Sequence, residues 1–129
     1  LLKVLNKNIK LCDVIVGHNI KFDINMIIIE CLRNNFLEKI NIDNKMYECT
    51  MKMGKTKCGL YYEKNGKQIL KNPKLSELHF NLFETVPKGC HNSLNDIIIT
   101  LRCYYNLKFN QDLIKNNNVF KKIFNLNCI

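Results

Sequence analysis

The sequence predicts an α/β protein that is rich in helix, and three observations predict it. A short apolar run, Asp13-Val14-Ile15-Val16-Gly17, is bounded by a Gly, as expected of a buried strand. Directly after it Ile24, Ile27, Ile28 and Cys31 recur at i, i+3, i+4 and i+7, the spacing of one helix face. Further along, stretches with helical spacing outnumber the strand candidates.

Taken in order, residues 1–8 read as the end of an amphipathic helix, with Leu1, Leu2, Val4 and Leu5 as its apolar residues and a polar turn over 6–10. After the strand at 13–17, a helix is expected from about 20 to 34, with Asn19 as its N-cap. Residues 36–44 read as a connection, and 45–50 as a second candidate strand. Residues 51–72 are basic and rich in turn formers; within them 61–69 reads as a hairpin on Asn65-Gly66 or as a mobile loop. A short helix over 74–83 starts after Pro73 and carries Leu75, Leu78 and Leu82 on one face. A loop over 85–90 precedes a helix over 92–106, whose expected buried stripe is Leu94, Ile97, Ile98, Leu101 and Tyr105. In the tail, a break at Asn116-Asn117-Asn118 is followed by Val119, Phe120, Ile123 and Phe124 at helical spacing.

The chain has 129 residues, enough for one domain with a real core. It begins in mid-pattern at Leu1 and is expected to be a piece of a longer protein. No apolar run approaches the roughly 20 residues that cross a membrane, and no segment resembles a signal peptide. Its formal net charge is +9, nearly all from Lys. Such a balance suits a polyanion partner, although a coding sequence rich in A and T yields the same Lys, Asn and Ile. Seven cysteines, odd in number and without a C-x-x-C, suggest a reducing compartment, cytoplasm or nucleus. Cys49, Cys58 and His79 are spaced unlike any common zinc site.

Two motifs carry the chemistry. In Val16-Gly17-His18-Asn19-Ile20-Lys21-Phe22-Asp23, a strand turns into a helix and Asp23 falls in the first helical turn. In His91-Asn92-Ser93-Leu94-Asn95-Asp96, Asn92 or Ser93 caps a helix, Asp96 falls in its first turn, and His91 sits on the loop before it. A carboxylate at a helix start is favoured by the helix dipole with no chemistry at all. Together, however, two such carboxylates and a histidine supply part of a phosphodiester-hydrolysing site. Two metal ions orient water and stabilise the leaving oxygen, and a neutral His takes the water's proton. Such a site usually wants three or four carboxylates.

These blocks resemble the second and third motifs of the DEDDh 3′→5′ exonucleases. The first matches a strand followed by Asn-x-x-Phe-Asp; the second matches His-x-(Ala/Ser)-x-x-Asp, with Ser93 in the small-residue place. Cys49-Thr50 and Pro73-Lys74-Leu75-Ser76-Glu77-Leu78 occupy the places of two further family blocks, and the similarity covers about residues 1–107, leaving 108–129 as a tail expected to be helical. The resemblance implies an incomplete ribonuclease-H-like fold, its N-terminal strands absent. It implies a 3′→5′ exonuclease acting on single-stranded DNA or RNA 3′ ends with two Mg²⁺ or Mn²⁺ ions, and leaves a polymerase or other partner open. It implies Asp23 and Asp96 as metal ligands, His91 as general base, His18 and Asn19 as shapers of the turn, Phe22 as packing beneath the site, and Ser93 beside the substrate. The family's first motif, Asp-x-Glu, does not occur in the chain, so this chain alone is expected to be inactive. The alternative is a nucleic-acid-binding module of the same fold that has lost catalysis.

Overall fold

A computed structural model of the chain describes residues 1–90 and 92–129. Among the described residues it is mixed α/β and helix-rich, with two small sheets. Its Cα framework divides into two compact units, Leu1–Cys49 and Thr50–Ile129. Among the described residues no helix is long and apolar enough to cross a membrane.

The first unit contains helix α1 (Leu2–Lys10), strand β1 (Val14–Gly17), helix α2 (Ile20–Arg33), a 3-10 turn (Leu37–Lys39) and strand β2 (Met46–Cys49). The strands pair in parallel, Val14 opposite Met46 and Gly17 opposite Cys49, with α2 in the connection between them. A parallel pair needs such a crossover, because a tight turn cannot join its ends. Ile9, Cys31, Ile40 and Ile42 form the buried core, with Ile15, Ile27 and Ile28 packed on it. The expected α2 face is thus the one that packs. Buried Asn6 ties α1 to the chain after the 3-10 turn: its amide donates to the Lys39 carbonyl at 2.7 Å and its carbonyl accepts from Asn41 N–H at 3.0 Å. Lys45 Nζ donates to the Cys12 carbonyl at 2.6 Å, and Tyr47 Oη to that of Ile42 at 2.5 Å, so the start of β2 is tied down.

The second unit contains helix α3 (Thr50–Cys58), strands β3 (Tyr61–Lys64) and β4 (Lys67–Leu70), then helices α4 (Leu75–Phe83), α5 (Ser93–Phe109), α6 (Leu113–Asn116) and α7 (Asn118–Cys128). Of the two readings of residues 61–69, the structure takes the hairpin: β3 and β4 are antiparallel, Tyr62 opposite Ile69. Helix α3 replaces the first part of the expected turn-rich stretch. Its buried residues are Thr50, Gly54 and Cys58, small residues four apart that no hydrophobic pattern reveals. The core joins Leu78, Ile98, Ile99, Cys103, Phe120, Phe124 and Cys128, so α4, α5 and α7 close on one another.

Helix α5 is rotated from the expected stripe. Leu94 and Ile97 are 54% and 66% exposed, whereas Asn95, Ile98, Ile99, Arg102 and Cys103 face inward. Two polar residues set that rotation. The Asn95 amide donates to the carbonyls of Gly89 at 3.2 Å and Asn127 at 2.8 Å. The Arg102 guanidinium meets both carboxylate oxygens of Asp112, at 2.9 and 2.8 Å, and donates to His79 Nε2 at 3.0 Å. The Asp112 pair is bidentate, and Arg102 also lies over the Phe83 ring, 3.8 Å from its centre.

Candidate active site

The first motif forms a tight elbow. β1 ends at Gly17, His18 and Asn19 make the bend, and α2 starts at Ile20. Asn19 stands at the N-cap position with φ +66°, in the left-handed region, and its side chain makes no capping bond. Asn19 is thus the N-cap, as expected, but the bend is closed by its carbonyl, which accepts from Phe22 N–H at 2.8 Å. Asn tolerates this backbone better than most residues, because its short polar side chain can settle in it.

Asp23 falls in the first turn of α2, at the carboxyl end of β1. In open α/β sheets that end is where ligands bind. Its carboxylate reaches back to the elbow: a Cβ built on Gly17 would stand 3.2 Å from Asp23 Oδ2 and 2.7 Å from Ile20 Cδ1. Gly17 therefore leaves the space that the carboxylate and Ile20 fill. Partial burial lifts the Asp23 carboxyl above its ordinary value, while its backbone N–H and the nearby half-buried His18 pull the other way. Phe22 corrects a further expectation. It does not pack beneath the elbow but is 60% exposed, on the same side of α2 as exposed Met26 and Ile29. The face spacing explains this, since the core takes Ile27, Ile28 and Cys31.

The second motif opens α5. Asn92 is the cap: its side-chain oxygen accepts from Leu94 N–H at 3.0 Å and Asn95 N–H at 3.4 Å. Ser93 is the first helical residue and is exposed. Asp96 lies in the first turn, half-buried, its N–H donating to the Asn92 carbonyl at 2.9 Å. Burial first, and the charge of Asp96 after it, raise the Cys90 thiol; Cys128 is raised by burial, by Cys90 and by Asp96. His91, the expected general base, lies outside the described residues.

The loop leading to this helix is tied down. Lys88 N–H donates to the Cys128 carbonyl at 2.9 Å, and Gly89, with φ +68°, presents its carbonyl to Asn95. A side chain at Gly89 would run into the Asn95 amide. Gly17 stood in the sequence motif as the residue that bounds the strand, but its closeness to Asp23 appears only once the chain is folded, and Gly89, with its left-handed turn and close approach to Asn95, did not stand out at all.

Beside this loop a cleft of about 380 Å³ is lined mainly by apolar groups, among them Phe83, Val86, Phe124 and Ile129, with His79 and Arg102 in its wall. The His79 ring is neutral by its partners. The Thr85 carbonyl can only accept, so Nδ1 at 2.8 Å carries the hydrogen, and Arg102 can only donate, so Nε2 carries the lone pair. That polar cluster is internally satisfied and holds α4 to α5 and α6.

Among the described residues, no three His, Cys, Asp or Glu side chains gather closely enough to hold a metal ion. Asp23 and Asp96 therefore do not by themselves supply the ligand set that two ions require. The chain matches no family model, and neither a curated protein nor a solved structure shows significant similarity to it.

Proposed function

We propose that this chain is part of a DEDDh-type 3′→5′ exonuclease domain of ribonuclease-H-like fold, acting on 3′ ends of DNA or RNA. One observation carries the reading most. Both motif carboxylates stand in the first turn of a helix, and that of Asp23 fills the space left by Gly17 at the carboxyl end of a parallel strand. A carboxylate so placed is held by rigid elements, as an acid, base or ligand must be. In this reading Asp23 and Asp96 supply oxygens for Mg²⁺ or Mn²⁺, further carboxylates being needed beside them. His91 accepts the proton of the attacking water, and Ser93, His18 and Asn19 border the substrate. The exposed position of Phe22 leaves it free to meet the substrate and not to brace Asp23.

The test uses the product of the complete gene with 5′-labelled single-stranded DNA and RNA and Mn²⁺, beside its Asp96→Ala and Asp23→Ala variants. The expected result is a ladder shortening from the 3′ end, abolished by either substitution and by EDTA. Loss of a catalytic carboxylate should lower the rate by at least about a hundredfold. Retained binding with no ladder would favour the nucleic-acid-binding module, and the roles given to His91, Asp23 and Asp96 would be withdrawn.

A further inference from the structure

The β3–β4 hairpin takes no part in the motifs above. Asn65 and Gly66 have φ of +53° and +71°, both left-handed, as a two-residue type I′ turn requires. That turn sets the register, placing Lys64 directly opposite Lys67 and Tyr62 opposite Ile69. Since side chains alternate along a strand, Tyr62, Lys64, Lys67 and Ile69 share one face, while Tyr61, Glu63, Gln68 and Leu70 share the other. All four members of the first face are exposed. Lys71 is held by Glu77 at 2.6 Å, whereas neither Lys64 nor Lys67 has an acidic partner within salt-bridge distance among the described residues.

Two like charges directly across an antiparallel pair oppose pairing, and an exposed two-stranded hairpin is marginal to begin with. A phosphate between the two ammonium groups turns that repulsion into attraction. The tyrosine on the same face adds a surface for an unpaired base, so a basic pair beside a ring suits a single strand better than a free anion or a duplex. We infer that the Tyr62/Lys64/Lys67 face of the hairpin grips single-stranded nucleic acid, the lysines on the backbone and Tyr62 against a base. The inference rests on the reading of this chain as a nucleic-acid-processing protein.

The test measures binding of fluorescein-labelled oligo-dT and oligo-U to the full chain by anisotropy, in EDTA and over a range of salt. A Lys64→Thr/Lys67→Thr variant keeps a strand-forming cross-strand pair, so its hairpin is not weakened. Loss of two phosphate contacts should flatten the log–log salt slope by about 1.4. Affinity should fall at least tenfold more than in a charge-matched Lys3→Gln/Lys7→Gln variant. Tyr62→Ala should cost roughly tenfold, in keeping with loss of one stacked base. Binding by the threonine variant equal to that of the charge-matched control would overturn the inference, as would equal affinity for duplex. A ladder from the complete gene product alongside full binding by the hairpin variants would sink the hairpin and leave the exonuclease standing. Lost binding in these variants with no ladder would do the reverse.

Discussion

At Arg102 a cation lies buried, 8% exposed, and every close partner of its guanidinium answers it: a bidentate carboxylate, a ring nitrogen and two aromatic faces. Breaking such a pair from one side leaves the other charge unpaired. Asp112→Ala should therefore lower unfolding free energy by about 3–5 kcal/mol in a urea titration, the more so because Asp112 also accepts from Ile114 N–H. Acid should weaken the same cluster in two stages. Burial first, and Arg102 after it, hold His79 below its ordinary 6.5, so the unfolded chain takes up a proton that the folded one refuses. Stability then falls as pH drops below about 6.5. The hydrogen bonds from Arg102 hold Asp112 below 3.8; its contribution is complete above that value and is lost as pH falls through the lower folded value. His79→Gln, whose amide can donate to Thr85 and accept from Arg102, should keep the fold. It should remove the upper stage in melting curves recorded from pH 7.5 to 5.

At the scale of elements, the helix starts carry the consequences. Asn92→Ala deletes the side-chain cap of α5 and should cost about 1 kcal/mol by thermal or urea unfolding. Gly17→Ala places a methyl against Ile20 and the Asp23 carboxylate, so the start of α2 must shift, with a loss of about 1–3 kcal/mol. If the proposed function holds, that variant should lose exonuclease rate as well. What the sequence disclosed follows from the kind of force involved. β1 and the inward face of α2 were legible because apolar spacing acts locally, whereas turn chemistry at Asn65-Gly66 offered the hairpin only beside a mobile loop, and the structure decides between them. α3 was not, because its packing stripe is made of Thr50, Gly54 and Cys58. The facing of α5 was missed because Asn95 and Arg102, residues that patterning assigns to solvent, find partners elsewhere in the fold, Asn95 at the Asn127 carbonyl and Arg102 at buried His79 and at Asp112. The motif residues could be placed on helix starts from sequence alone, whereas the exposure of Phe22 and the Gly17 contact required coordinates.

Over the whole molecule, all seven cysteines are free, and five of them, Cys31, Cys49, Cys58, Cys103 and Cys128, are buried. Burial pushes Cys103 up to about 12, so it has almost no thiolate at neutral pH. Brief alkylation of the native chain should label Cys12 and Cys90 first and Cys103 last, read by peptide mass spectrometry; early labelling of Cys103 would contradict the α5 packing. The two sheets carry a further consequence, one of timing. Lys64 meets Lys67 across a two-residue turn, while Val14 must wait for Met46. Hairpins close in microseconds, but distant parallel strands first pay the entropy of a long loop. On a ribosome adding about 5–20 residues each second, β1 emerges with its partner not yet synthesised and spends on the order of seconds unpaired. That interval is when the apolar Val14-Ile15-Val16 segment is open to holdase chaperones or to a strand of another chain.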